Sequence, residues 1–153
     1  MYSAAHIVRL RNLVDRYALP YFDGFASLNV RQLQQMYNGI GPEKFGDALL
    51  DLSTDIFWVF EPAALVHDAA CTPKRYGGDN DGTYAGFVCA NKHFAAGCRV
   101  IAEESRLYLG WFRPAQRDLR RFVGRQLARA VTGDIAWDAY RDAYTASTFG
   151  AAA

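Results

Sequence analysis

Cysteine is scarce in this chain, no apolar run is long, and lysine is missing from its most basic stretch. Three cysteines (Cys71, Cys89 and Cys98) cannot all pair, and none belongs to a CxxC. With histidines only at positions 6, 67 and 93, the spacing forms no zinc pattern, and metal binding by sulfur is not expected. Reduced thiols are expected, with a Cys71–Cys89 bridge left open for an oxidising setting. No stretch approaches the roughly 18 apolar residues that mark a membrane span. The first residues lack the basic and apolar segments of a signal peptide, so synthesis in a cytoplasm is expected. Period-2 alternation is nearly absent, which argues against strands.

What is present is a 153-residue chain, half hydrophobic and 14% aromatic, with a net charge of +1. That composition supports one folded domain spanning 1–153. The charge is unevenly spread. Six arginines and one acid, Asp118, lie between Arg113 and Arg129, giving +5 there and −4 elsewhere. One face of the molecule is therefore expected to be basic.

The apolar period is close to 3.6 almost throughout, which predicts an all-α fold. Ile7, Leu10, Val14 and Tyr17 form a first stripe that stops by Pro20. Asn29 is placed to cap a helix carrying Val30, Leu33 and Met36. "YNGIGPEKFG" (37–46) reads as a structured loop. Ser53 or Thr54 would cap the next helix, with Ile56, Phe60, Ala63, His67 and Cys71 on one face and a kink or restart at Pro62. A loop follows at 71–82, with Asp81 as a cap. From about Thr83 a long helix carries Tyr84, Phe87, Val88, Asn91, Phe94, Ala95, Cys98 and Ile101 in register.

Pro114 opens a further helix, whose inner face is expected to be Leu119, Phe122, Val123, Leu127, Ala130 and Val131, ended by Gly133. A last short helix runs through Trp137, Tyr140 and Tyr144, and residues 146–153 are expected to fray. Arg113, Arg117, Arg121, Arg125 and Arg129 recur every fourth residue on that penultimate helix, thickened by Arg120. Such a stripe is a solvated face or an anion-binding interface, and arginine rather than lysine favours bidentate pairing. No aromatic interleaves with the outward arginines, so single-stranded nucleic acid is the weaker partner class. Other proteins, copies of the same chain, or phospholipid headgroups remain.

The densest chemistry is "EPAALVHDAAC" (61–71). His67 falls on the buried seam, while Asp68 lies about 100° round the helix and needs its own partner. The next helix has one polar residue, Asn91, in its apolar seam. Two such helices packed antiparallel bring Asn91 opposite His67, where each supplies the hydrogen bond the other needs. "GGDNDG" (77–82) is not an EF-hand, because Val88 would occupy the place of the bidentate glutamate. Asp79 or Asp81 is left as an auxiliary oxygen ligand.

Three motifs in order, "NGIG" at 38–41, "HD" at 67–68 and "ANKHFAAGC" at 90–98, resemble the phospholipase A2 superfamily. Phage-encoded proteins with its helical hairpin are more similar still. "ARAVTGDIAW" (128–137) is similar to their closing helix, so the resemblance covers about 37–137. It implies an antiparallel hairpin with added N- and C-terminal helices. It also implies His67 as general base, and Asp68 with Asn38, Gly39 and Gly41 as calcium ligands. Calcium would then stabilise the oxyanion of a hydrolysed ester.

The chain departs from that pattern at Asn91, which stands where the family has a catalytic aspartate. In the serine-protease triad the same exchange costs about 10⁴ in turnover. Ile40 and Pro42 interrupt the glycine pattern, and Cys71 replaces a common tyrosine. Two readings follow from the resemblance. One is a phage virion or tail protein, made in the host cytoplasm, that keeps the scaffold with weakened catalysis. The other is a calcium-dependent phospholipid or ester hydrolase. An unrelated helical binding module is the reading without the resemblance.

Overall fold

A computed structural model of the chain describes residues 2–39, 58–104 and 113–149. Six helices fill it: α1 (Ala4–Arg16), α2 (Val30–Met36), α3 (Glu61–Cys71), α4 (Tyr84–Glu104), α5 (Arg113–Ala130) and α6 (Asp134–Phe149). Among the described residues there is no strand, only a single parallel bridge between Pro73 and Asn80. The all-α expectation holds.

Local chemistry sets several boundaries. Ser3 caps α1 by accepting from the His6 N–H. Asn29 and Gln32 form a reciprocal capping box that starts α2. Pro62 sits in the first turn of α3, where its missing N–H costs nothing, so the chain restarts there. The expected cap at Ser53 or Thr54, with Ile56, lies outside the described residues. α1 ends before Pro20: Ala18 adopts a left-handed φ of 46° and the Leu19 N–H reaches back to the Val14 carbonyl. This is a Schellman-type stop made without glycine.

α3 is the centre of the structure. Its first six residues, Glu61 to Val66, are all buried, and it touches α1, α2 and α4. Its alanines let the neighbours come close. A Cβ on Gly97 of α4 would lie 3.2 Å from that of Ala63. His67 meets Asn91 on the same seam. Ala63 with Gly97 and His67 with Asn91 are the pairings of an antiparallel helix pair. α5 returns antiparallel along α4, with Arg121 on Glu103 and Gly124 against Cys98 and Phe60. Phe60, Leu65, Ile101 and Leu127 are among the largest fully buried side chains in this core. Burial pushes the Cys98 thiol up to about 12, so it behaves as a small apolar group.

Four expectations need correcting. Tyr84 and Ala95 of α4 are exposed; Tyr84 stands in the first turn of the helix, where its ring meets only the edge of the aromatic group around Trp137. In α5, Phe122 is 43% exposed and Ala130 is exposed, whereas Arg120 is only 7% exposed. The helix is rotated so that Gly124 faces Phe60 and the Arg120 guanidinium donates to the Ala102 carbonyl at 3.4 Å. Asp81 is not itself the cap of α4. Its carboxylate accepts from the backbone and hydroxyl of Thr83, and the Thr83 hydroxyl accepts from the Gly86 N–H. Last, the segment from residue 146 does not fray at once: α6 continues to Phe149, and 150–153 lie outside the described residues.

Candidate functional site

α3 and α4 bring His67 and Asn91 together as their helical periods require. His67 Nε2 lies 3.0 Å from Asn91 Oδ1, and the Phe94 ring stacks tilted on the imidazole at 4.8 Å. Because that amide oxygen can only accept, Nε2 carries the proton and donates. Asn91 is buried, so this bond satisfies a group that would otherwise be costly. One helical turn on, Cys71 Sγ stands 3.6 Å from the same Nε2. Among the described residues all three cysteines are free.

The other ring nitrogen looks toward Asp68. The two side chains diverge less than helix geometry alone suggests: Nδ1 to Oδ1 is 3.9 Å, an electrostatic contact too long for a hydrogen bond. Burial by itself would lower the basicity of the imidazole. The Cys71 sulfur and the Asp68 carboxylate outweigh it, so His67 is pushed up from 6.5 to about 10. The neighbours thus favour the imidazolium, in which neither ring nitrogen has a lone pair to take a proton from water.

Asp68 has a second task that its sequence context did not reveal. Its Oδ2 accepts from the backbone N–H groups of Asn38, at 2.8 Å, and Gly39, at 3.3 Å. The loop after α2 thus presents donors to the carboxylate. In this arrangement Asp68 Oδ2 meets two backbone N–H groups while Oδ1 faces the His67 ring. Gly41, with Ile40 and Pro42, lies outside the described residues. Among the described residues no three His, Cys, Asp or Glu side chains stand together as a metal site. Asp68→Ala is expected to destabilise the fold by about 1–2 kcal/mol through loss of these charge-assisted bonds. Urea unfolding measures that cost, and faster amide exchange confined to Asn38 and Gly39 locates it.

A further cluster lies beside this site. Glu61, 5% exposed, accepts from the Tyr37 hydroxyl at 2.9 Å and stands 3.4 Å from His6 Nε2. Tyr2 stacks on His6 and packs tilted against Tyr37, and its hydroxyl fills the space where Gly39 has no Cβ. Burial, then the Glu61 and Asp68 carboxylates, raise both phenols above their ordinary range. An acid in the first turn of α3 suits the helix dipole, which is the one hint the sequence carried. Nothing in it linked His6 to a residue 55 positions away.

The arginine series divides. Arg117, Arg125 and Arg129 are exposed on the outer side of α5. Arg121 is held bidentately by Glu103, at 2.6 and 2.9 Å, and also reaches Asp118. Arg120 points inward, and the Arg113 side chain lies outside the described ones. Of the loop acids, Asp79 pairs with Lys74 at 3.8 Å and Asp81 is committed to Thr83. His93, on the far side of α4 from Asn91, has no part in the site. No helix among the described residues is long and apolar enough to cross a membrane. Compared with known protein families, with curated proteins and with solved structures, the chain matches none significantly.

Proposed function

We propose that this chain is a helical interaction protein, a virion or tail component of a phage, built on a phospholipase A2-like hairpin without its hydrolysis. The observation that carries this reading is the bonding of His67. A general base must be unprotonated at working pH and must share its growing charge with a partner. His67 has an amide at Nε2, neighbours that favour its protonated form, and a neighbouring carboxylate engaged by two backbone donors. Each of these removes something ester hydrolysis requires. What remains is a packed helix pair joined by the His67–Asn91 hydrogen bond, a suitable frame for presenting the basic outer face of α5.

The test is fatty-acid release from phospholipid vesicles, with calcium and with chelator. Wild type and His67→Gln are expected to release the same amount as buffer under both conditions. Calcium-dependent release by wild type that vanishes in His67→Gln would establish the hydrolase instead. Asn91→Asp supplies the missing charge. Turnover gained by that one change would mark the chain as an enzyme silenced at a single position.

A further inference from the structure

The outer faces of α5 and α6 carry the same residue spacing with opposite charge. On α5, Arg121, Phe122, Arg125 and Arg129 place cations one residue before, three after and seven after an aromatic side chain. On α6, Asp134, Ile135, Asp138 and Asp142 place anions at the same offsets from an aliphatic one. Both apolar members face solvent: Phe122 is 43% exposed and Ile135 is 88% exposed. Asp134, Asp138 and Asp142 are exposed, and Arg141 pairs along the flank with Asp138 at 3.0 Å and Asp142 at 3.7 Å. Among the described residues no ion pair joins the α5 row to the α6 row within one chain, and Arg117, Arg125 and Arg129 have no acidic partner.

We propose that the α5 face of one copy docks on the α6 face of a second copy, arginine row against aspartate row. Side chains four residues apart form the ridges that interdigitate when helices cross at about −50°. Charges repeat about every 6 Å along each ridge, so several can pair in one register. The docked pair would also cover Phe122 and Ile135, the two large apolar residues that these faces expose. Opposite faces of one chain make a heterologous contact, which builds a closed ring or an open filament rather than a two-fold dimer. This deepens the reading of the chain as an interaction protein and rests on it. A second copy is the occupant favoured here, because the complementary surface is on the same molecule.

The experiment is sedimentation velocity on the intact chain over a concentration series. Wild type is expected to self-associate reversibly at low ionic strength. It should dissociate at about 1 M salt, where the screening length falls to about 3 Å. Arg125→Asp/Arg129→Asp, with both faces acidic, and Asp138→Arg/Asp142→Arg, with both faces basic, should each weaken association by about tenfold or more. An equimolar mixture of the two should recover it, since each then offers the face the other needs. Ile135→Ser changes a side chain that is almost wholly in solvent, so it should weaken association while leaving unfolding unchanged.

A wild type that stays monomeric throughout overturns the proposal. So does association indifferent to either charge reversal, or loss in both without recovery on mixing. The outcome is separable from the vesicle assay. A hydrolytic protein that assembles this way sinks the earlier reading alone, and a silent monomer sinks this one alone.

Discussion

Asn80→Ala is expected to lower the free energy of unfolding by about 3–4 kcal/mol, a large part of the roughly 5–15 kcal/mol typical of a domain. Asn80 is fully buried in the turn between α3 and α4. Its amide nitrogen donates to the Cys71 carbonyl at 2.9 Å and to the Tyr140 carbonyl at 2.8 Å. Its amide oxygen accepts from the Gly82 N–H at 2.8 Å. One side chain thus joins the end of α3, the start of the α4 cap and the middle of α6. Truncation removes three hydrogen bonds and leaves the buried Tyr140 carbonyl without its side-chain partner, which costs more than that bond itself was worth. The backbone bonds from Asn80 to Thr72 and from Lys74 to Asn80 do not depend on the side chain, so the turn itself should persist.

The midpoint of urea unfolding is the measurement, with an unchanged denaturant slope expected. Asn80→Asp should be at least as damaging, because it keeps the acceptor for Gly82 and points a buried carboxylate at two carbonyl oxygens. A loss below about 1 kcal/mol for Asn80→Ala would mean that α6 is held chiefly by its aromatic contacts with Tyr84 and Phe87.

The second large effect is pH-dependent and belongs to His67. Its pKa is raised in the folded state, from 6.5 to about 10, by neighbours that outweigh its burial. A raised imidazole stabilises the fold fully below its unfolded pKa, and that contribution is lost as pH climbs through the folded value. The window therefore runs from pH 6.5 to about 10. Across it wild type should lose stability relative to His67→Gln, in total on the order of a few kcal/mol. The side-chain amide introduced by His67→Gln can still donate to Asn91, so the difference between the two curves isolates the charge. The direct check is the imidazole titration followed by NMR, which should show His67 still protonated at about pH 8, while an unperturbed imidazole titrates near 6.5. A midpoint near that ordinary value would restore His67 as a candidate base and weaken the non-hydrolytic reading with it.

Much of the frame was legible along the chain because helical periodicity is a local property. The seam that carries His67 and the seam that carries Asn91 are each visible within a dozen residues. Once two seams must be buried together, their only polar members have to meet. The Asn29 cap and the restart at Pro62 are equally local, since each depends on a backbone donor within one turn. The arginine row on α5 could be counted from the sequence alone, though not which of its members would turn inward.

Rotation of a helix about its own axis was not legible. Phe122 and Ala130 looked like core, yet the buried arc of α5 is centred on Arg120, Val123, Gly124 and Leu127. A glycine lets Phe60 and Cys98 approach, and a long guanidinium can lie along the interface and find a carbonyl. Hydrophobicity counts neither gain. Pairings between distant segments were hidden for a related reason. His6 with Glu61, Asp68 with the Asn38 and Gly39 amides, and Asn80 with Tyr140 are matched by shape and hydrogen-bond geometry, which leave no periodic trace. Periodicity told which residues must leave water. Only the packed fold decided which polar groups they met there, because each buried donor and acceptor takes whatever partner the assembled helices bring within about 3 Å.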